Sequence, residues 1–141
     1  MNAPERKRWI VVALLVGVLY FVVGFTFAAF ARWSLFKLAA LTWNKLAFLI
    51  SAIVFVPHIG FEYFRLKNAA RLTAWHVSLA VALGAFGLAL AANIHDLGSP
   101  DGYRPRMLIA LVAWPLITGV PAFFVALIAF TGLTLVLRRA R

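Results

Sequence analysis

Residues 107–137 read MLIALVAWPLITGVPAFFVALIAFTGLTLVL, 31 positions without an Asp, Glu, Lys, Arg or His. A helix needs about 20 mostly apolar residues to cross a bilayer core of about 30 Å. At 1.5 Å per residue this stretch is about 46 Å long, so it must tilt, bend or project beyond the membrane. Three further runs follow the same rule. Residues 9–31 carry no charge, residues 46–64 hold Pro57, His58 and Glu62, and residues 72–94 hold His76, Ser78 and Asn93. The reading is an all-α, single-domain integral membrane protein, a bundle of four transmembrane helices.

Composition agrees. Hydrophobic residues make up 65% of the 141 positions and charged residues 13%, against roughly 45–50% and about 25% in soluble domains. So few charges cannot cover the surface of a soluble fold this small. Cysteine is absent, which removes disulfides, thiolate metal sites and cysteine nucleophiles. The net charge of +10 comes from residues flanking the apolar runs rather than forming one face. Anionic lipid and membrane orientation account for it better than nucleic acid.

The basic residues set the expected topology. Arg6, Lys7, Arg8, Arg65, Lys67, Arg71, Arg138, Arg139 and Arg141 fall on the side of the termini, nine in all. Arg32, Lys37, Lys45, Arg104 and Arg106 fall on the other, five in all, partly offset by Asp96 and Asp101. The positive-inside rule then puts both termini in the cytoplasm. Arginine outnumbers lysine ten to four, a usage that fits a GC-rich bacterial genome, so the membrane expected is the bacterial cytoplasmic (inner) membrane. Residues 1–8 resemble the basic start of a signal peptide and residues 29–31 its cleavage site, but the apolar run exceeds the usual 7–15 residues. An uncleaved first helix is expected. Residues 32–45 and 95–106 read as extracytoplasmic loops. Trp33, Phe36 and Trp43 suit the first to the outer interface, and Gly98, Ser99, Pro100, Asp101 and Gly102 mark the second as a turn.

Small residues recur at helical spacing. Ala13, Gly17, Gly24 and Ala28 lie near one stripe of the first span, as do Ala80, Gly84, Gly87 and Ala91 in the third. Such stripes let helices approach closely, either within the bundle or toward a partner subunit. Pro115, Gly119 and Pro121 make the fourth span a hinge candidate, with a static kink that lets an overlong helix fit as the favoured reading. Each proline frees a carbonyl one turn earlier, and Thr118 is positioned to satisfy one of them.

Ionisable residues inside membranes are costly, so they are the candidate site. Ser51, His58, Glu62 and Arg65 follow offsets of seven, four and three, which places them on one helical face. His58 and His76 sit at depths that differ by only about 3 Å if the two spans are antiparallel neighbours. His58, Glu62 and His76 are therefore proton-relay or ligand candidates, with Ser51, Arg65 and Arg71 as polar support. The bland alternative pairs Glu62 with Arg65 or Arg71 while the histidines bond between helices. His95 and Asp96, with Asp101 nearby, read as a solvated helix end. No cofactor is expected, with haem b or a divalent metal at His58 and His76 as lesser alternatives.

No nucleophile elbow, phosphate loop or zinc-protease helix occurs, so an enzyme is not expected. The leading expectation is a non-enzymatic component of a membrane assembly, acting through helix–helix contacts with other subunits or itself. The alternative is a homo-oligomeric, proton-linked carrier or channel for small solutes. A b-haem anchor comes third.

Overall fold

A computed structural model describes residues 3–66, 68–98 and 105–139, with side chains from Arg8 onward. The chain forms α1 (Ala3–Trp33), α2 (Lys37–Phe61), a π-helical extension (Glu62–Leu66), α3 (Ala70–Leu97), a 3-10 turn (Pro105–Ile109) and α4 (Ala110–Arg139). No strand occurs among the described residues. Four stretches are long and apolar enough to cross a membrane: Arg8–Trp33, Lys37–Leu66, Ala70–Leu97 and Pro105–Arg139. Lys67, Ser99, Pro100, Asp101, Gly102, Arg104 and Arg141 lie outside the described residues.

The second span starts earlier than the sequence suggests. Only residues 34–36 separate α1 from α2, so residues 37–45 are helical rather than an interfacial loop. Trp43 accounts for this, because its ring packs against Phe27 and Phe30 of α1 with centroids 6.0 and 5.2 Å apart. The Ser34 hydroxyl donates to the Phe30 carbonyl at 2.8 Å and helps close α1.

The third helix is the centre of the bundle, with its main contacts to α4 and α1. Its parallel contact with α1 is a seam of small residues. A Cβ on Gly84 would lie 2.6 Å from the Tyr20 Cβ and 3.0 Å from the Gly17 carbonyl oxygen. One on Gly17 would lie 3.2 Å from the Ala80 carbonyl oxygen. Gly87 faces the Phe21 ring and Gly24 faces Leu88. Both stripes are thus used inside the bundle.

Against α4, which runs antiparallel to α3, Ala74 and Val77 meet Ala126 and Ile59 in the buried apolar core. Asn93 ties the far end together by donating to the Ala89 and Met107 carbonyls, both at 2.9 Å. The second helix begins beside α1 and ends against α3 and α4, where Tyr63 meets Phe130 edge-on at 5.0 Å.

The fourth span is one continuous helix through the hinge candidates Pro115 and Pro121. Gly119 is buried against α3, and the Ser78 hydroxyl donates to its carbonyl at 2.7 Å. Thr118 does not take up a carbonyl freed by either proline. Its hydroxyl donates to Trp114 at 2.8 Å, whereas prolines 115 and 121 release the carbonyls of Leu111 and Ile117. A β-branched hydroxyl in a helix reaches back one turn from its own position, and that turn ends at Trp114.

Candidate functional site

The end of the bundle that holds the start of α1 and α3 contains a buried polar cluster. Glu62 is its hub, with no exposed surface at all. His76 Nδ1 lies 3.2 Å from Oε1 and 3.1 Å from Oε2 of that carboxyl. Asn68, in the connection between α2 and α3, donates its amide to Oε2 at 2.8 Å. Both carboxyl oxygens are therefore engaged.

Local structure explains how an acidic residue came to face inward. The turn from Glu62 to Leu66 is π-helical, a wider winding that is frequent at functional sites in membrane and soluble helices alike. Widening the turn rotates the residue three positions on away from the face of Glu62. Arg65 is consequently exposed, and Arg71, on the first turn of α3, is exposed as well. The expected face of Ser51, His58, Glu62 and Arg65 does not survive beyond Glu62. Glu62 pairs with His76 and Asn68, not with Arg65 or Arg71. Ser51 is half-buried two turns away from His58 and takes no part in the cluster.

His76 is clamped from a second direction. The Trp9 indole stacks on the imidazole with ring centroids 4.1 Å apart and planes inclined by 28°. An aromatic pair of this kind fixes the plane of the imidazole as well as adding contact area. Indole and carboxyl together occupy two sides of the His76 ring.

His58 lies one helical turn before Glu62 and is 4% exposed. Neither of its ring nitrogens has a hydrogen-bond partner within the protein, and the same holds for Trp9 Nε1 and the Thr73 hydroxyl. Buried polar atoms without partners are uncommon and call for a reason. Here Trp9, stacked on His76, and His58, one turn before Glu62, add unused polar atoms beside an already bonded pair.

The structure thus joins two of the three expected residues directly and leaves His58 beside them without a bond. Two participants were not anticipated: Trp9 and Asn68. Among the described residues, no three His, Asp or Glu side chains come together as a metal-holding group. Nor does the packing offer His58 and His76 as a facing pair for haem, since Trp9 and Glu62 close on His76. At the opposite end, Asp96 is buried at 3% exposure while His95 is exposed, so the pair is not the solvated helix end that the sequence suggests. Asp101 lies outside the described residues.

Comparison with family models, with curated proteins and with solved structures finds no match. The chemistry of the site has to speak for itself.

Proposed function

We propose that this chain is a non-enzymatic membrane protein that binds and releases a proton at the Glu62–His76 pair, in the service of a proton-linked carrier or channel. One observation carries the reading: a fully buried carboxyl in a membrane-spanning segment, bonded to an imidazole at 3.1 Å. Ionisable groups at such depth are expensive and mark proton or ion pathways by default. The contact fits the pair holding one extra proton, as carboxylate with imidazolium or as carboxylic acid with neutral imidazole, and the pair after its release, carboxylate with neutral imidazole. His58 extends the set about 6 Å farther into the span, one helical turn away, and its two free ring nitrogens suit a relay.

Infrared difference spectroscopy on the protein in vesicles tests this. A carboxylic C=O stretch that titrates with pH and vanishes in Glu62→Gln is expected, together with altered proton flux reported by an internal pH dye. A Glu62→Gln protein with the same titrating band and the same fluxes as the parent would remove the proposal.

A second reading has its own observation. None of the most apolar window of the Lys37–Leu66 span is buried, against 39% of the corresponding window in Ala70–Leu97. With the small-residue stripes already used between α1 and α3, this face of α2 is what remains for helix–helix contact in a larger membrane assembly. Cross-linking from α2 in native membranes tests it. Adducts to a discrete protein support the reading, and adducts to lipid alone oppose it.

We also propose a bacterial inner-membrane location with both termini cytoplasmic. Nine of the 14 basic residues lie on the side of the termini, and the positive-inside rule supports that orientation. Reporter fusions at either end would read it out.

A further inference from the structure

Arg8, Phe61, Arg65 and Leu66 line a half-open groove of about 290 Å³ between the start of α1 and the end of α2. Two of its four lining residues are arginines, and both are exposed. No described carboxylate neutralises either of them. The acidic residue closest in sequence on α2 is Glu62, and both of its oxygens are bonded to His76 and Asn68 on the buried side. Two cations that line one groove without a counter-charge repel each other and favour an anion between them.

We propose that this groove binds a phosphate-bearing anion, held by the paired guanidinium groups of Arg8 and Arg65. Guanidinium presents a planar fork that matches phosphate oxygens two at a time. The depth of the groove names the natural source. The apolar spans run from Arg8 on α1 and to Leu66 on α2, so the two arginines stand at the membrane surface, at the level of lipid headgroups. Phe61, one turn deeper in the span than Arg65, provides an apolar wall on the membrane side, suited to the glycerol and first methylenes of an acyl chain, and Leu66 adds apolar surface beside Arg65. Basic pockets between spans are an established form of anionic lipid recognition. A phosphate diester of an anionic phospholipid satisfies charge and apolar wall together, and free phosphate satisfies only the first.

The test uses the full chain in nanodiscs of phosphatidylcholine doped with phosphatidylglycerol, with native mass spectrometry counting the lipid retained. Arg8→Gln with Arg65→Gln is compared with Arg138→Gln with Arg139→Gln, which removes the same charge from the same end of the bundle. The groove pair is expected to lower phosphatidylglycerol affinity about tenfold or more, since hydrogen bonds to charged groups contribute about 1.5–3 kcal/mol each. The control pair should change it less than about twofold, the effect of screened surface charge. A parallel arm adds inorganic phosphate to pure phosphatidylcholine discs. Binding there that is lost only in the groove pair upholds the site and assigns it to a soluble anion. Equal losses in both pairs, or equal retention of phosphatidylcholine and phosphatidylglycerol, overturn the proposal. Should the glutamine pair fail to fold, Arg8→Lys with Arg65→Lys keeps both charges but loses the fork. A loss of about threefold is then expected, and unchanged affinity counts against the site.

Discussion

Along α1 and α3 two kinds of contact follow each other within a few turns. At one end Trp9 of α1 stacks on His76 of α3, which holds Glu62 of α2. Farther in, Gly17 and Gly84 bring the two backbones together with no room for another carbon. The first contact is polar, dry and built from large side chains on three helices. The second is apolar and built from missing side chains on two. Lipid gives helices no hydrophobic reason to associate, so either close approach or a buried polar bond must supply the attraction. This protein uses close approach along the α1–α3 seam and places its Glu62–His76 pair at one end.

The largest expected effect is at the polar end. Glu62→Ala leaves His76 and Asn68 without their acceptor and should lower stability by about 3 kcal/mol, the low end for breaking a buried pair. Glu62→Gln keeps the size and one acceptor and should lose about half as much. Unfolding titrations in mixed micelles measure both. Equal effects of the two substitutions would mean that carboxyl chemistry is irrelevant to the fold.

Next comes the seam. Gly84→Ala puts a carbon 2.6 Å from the Tyr20 Cβ and 3.0 Å from a backbone oxygen, neither of which swings aside easily. A loss of about 2 kcal/mol is expected, within the range for overpacking. Gly60 and Gly132 have nothing within 4 Å of the same added atom. Alanine there should be neutral or stabilising by up to about 1 kcal/mol, because alanine is the better helix former. A seam variant that behaves like these two controls would show that α1 and α3 are not in register as described.

His58 separates function from stability within the polar cluster. Its ring is buried with two unbonded nitrogens, so His58→Leu removes desolvated polar atoms without breaking a bond. Stability should stay level or rise by about 1 kcal/mol, as when buried polar groups give way to apolar ones of similar shape. Proton exchange at Glu62 should slow at the same time. A drop in stability as large as that of Glu62→Ala would instead give His58 a structural bond of its own.

These contrasts also show what the sequence could and could not disclose. Four spans were legible because a bilayer imposes length and apolarity on every one of them. The early start of α2 was not, since Trp43, Lys37 and Lys45 are residue types equally at home at an interface. Trp43 becomes helical because Phe27 and Phe30 receive its ring, a contact between two helices that no local pattern records. The matched depths of His58 and His76 pointed to the right end of the right helices. They did not reveal that Glu62 would bond to His76 itself, because the π-helical turn after Phe61 alters which residues share a face. Trp9 looked like the first residue of an apolar run and Asn68 like a loop residue. Their roles exist only once three helix ends converge.

The smallest expected effect concerns α4, where the sequence invites a hinge and the structure provides an anchor. Ser78 donates to the Gly119 carbonyl between the two prolines, and a Cβ on Gly119 would lie only 3.2 Å from the Ala82 Cβ, a tight contact. A moving hinge would need that contact to open, which means giving up a hydrogen bond where no water replaces it. Interhelical bonds of this type inside membranes average about 0.6 kcal/mol. Ser78→Ala should therefore cost about that much stability and leave proton exchange at Glu62 unchanged, because the Ser78 hydroxyl bonds to α4 and not to the Glu62–His76 pair. If α4 instead hinges during function, loosening the anchor should change transport rate far more than stability. Measuring both on the same variant decides between a fixed bend and a moving one, and a rate change of about tenfold with a stability change below about 1 kcal/mol would turn the anchor into a latch.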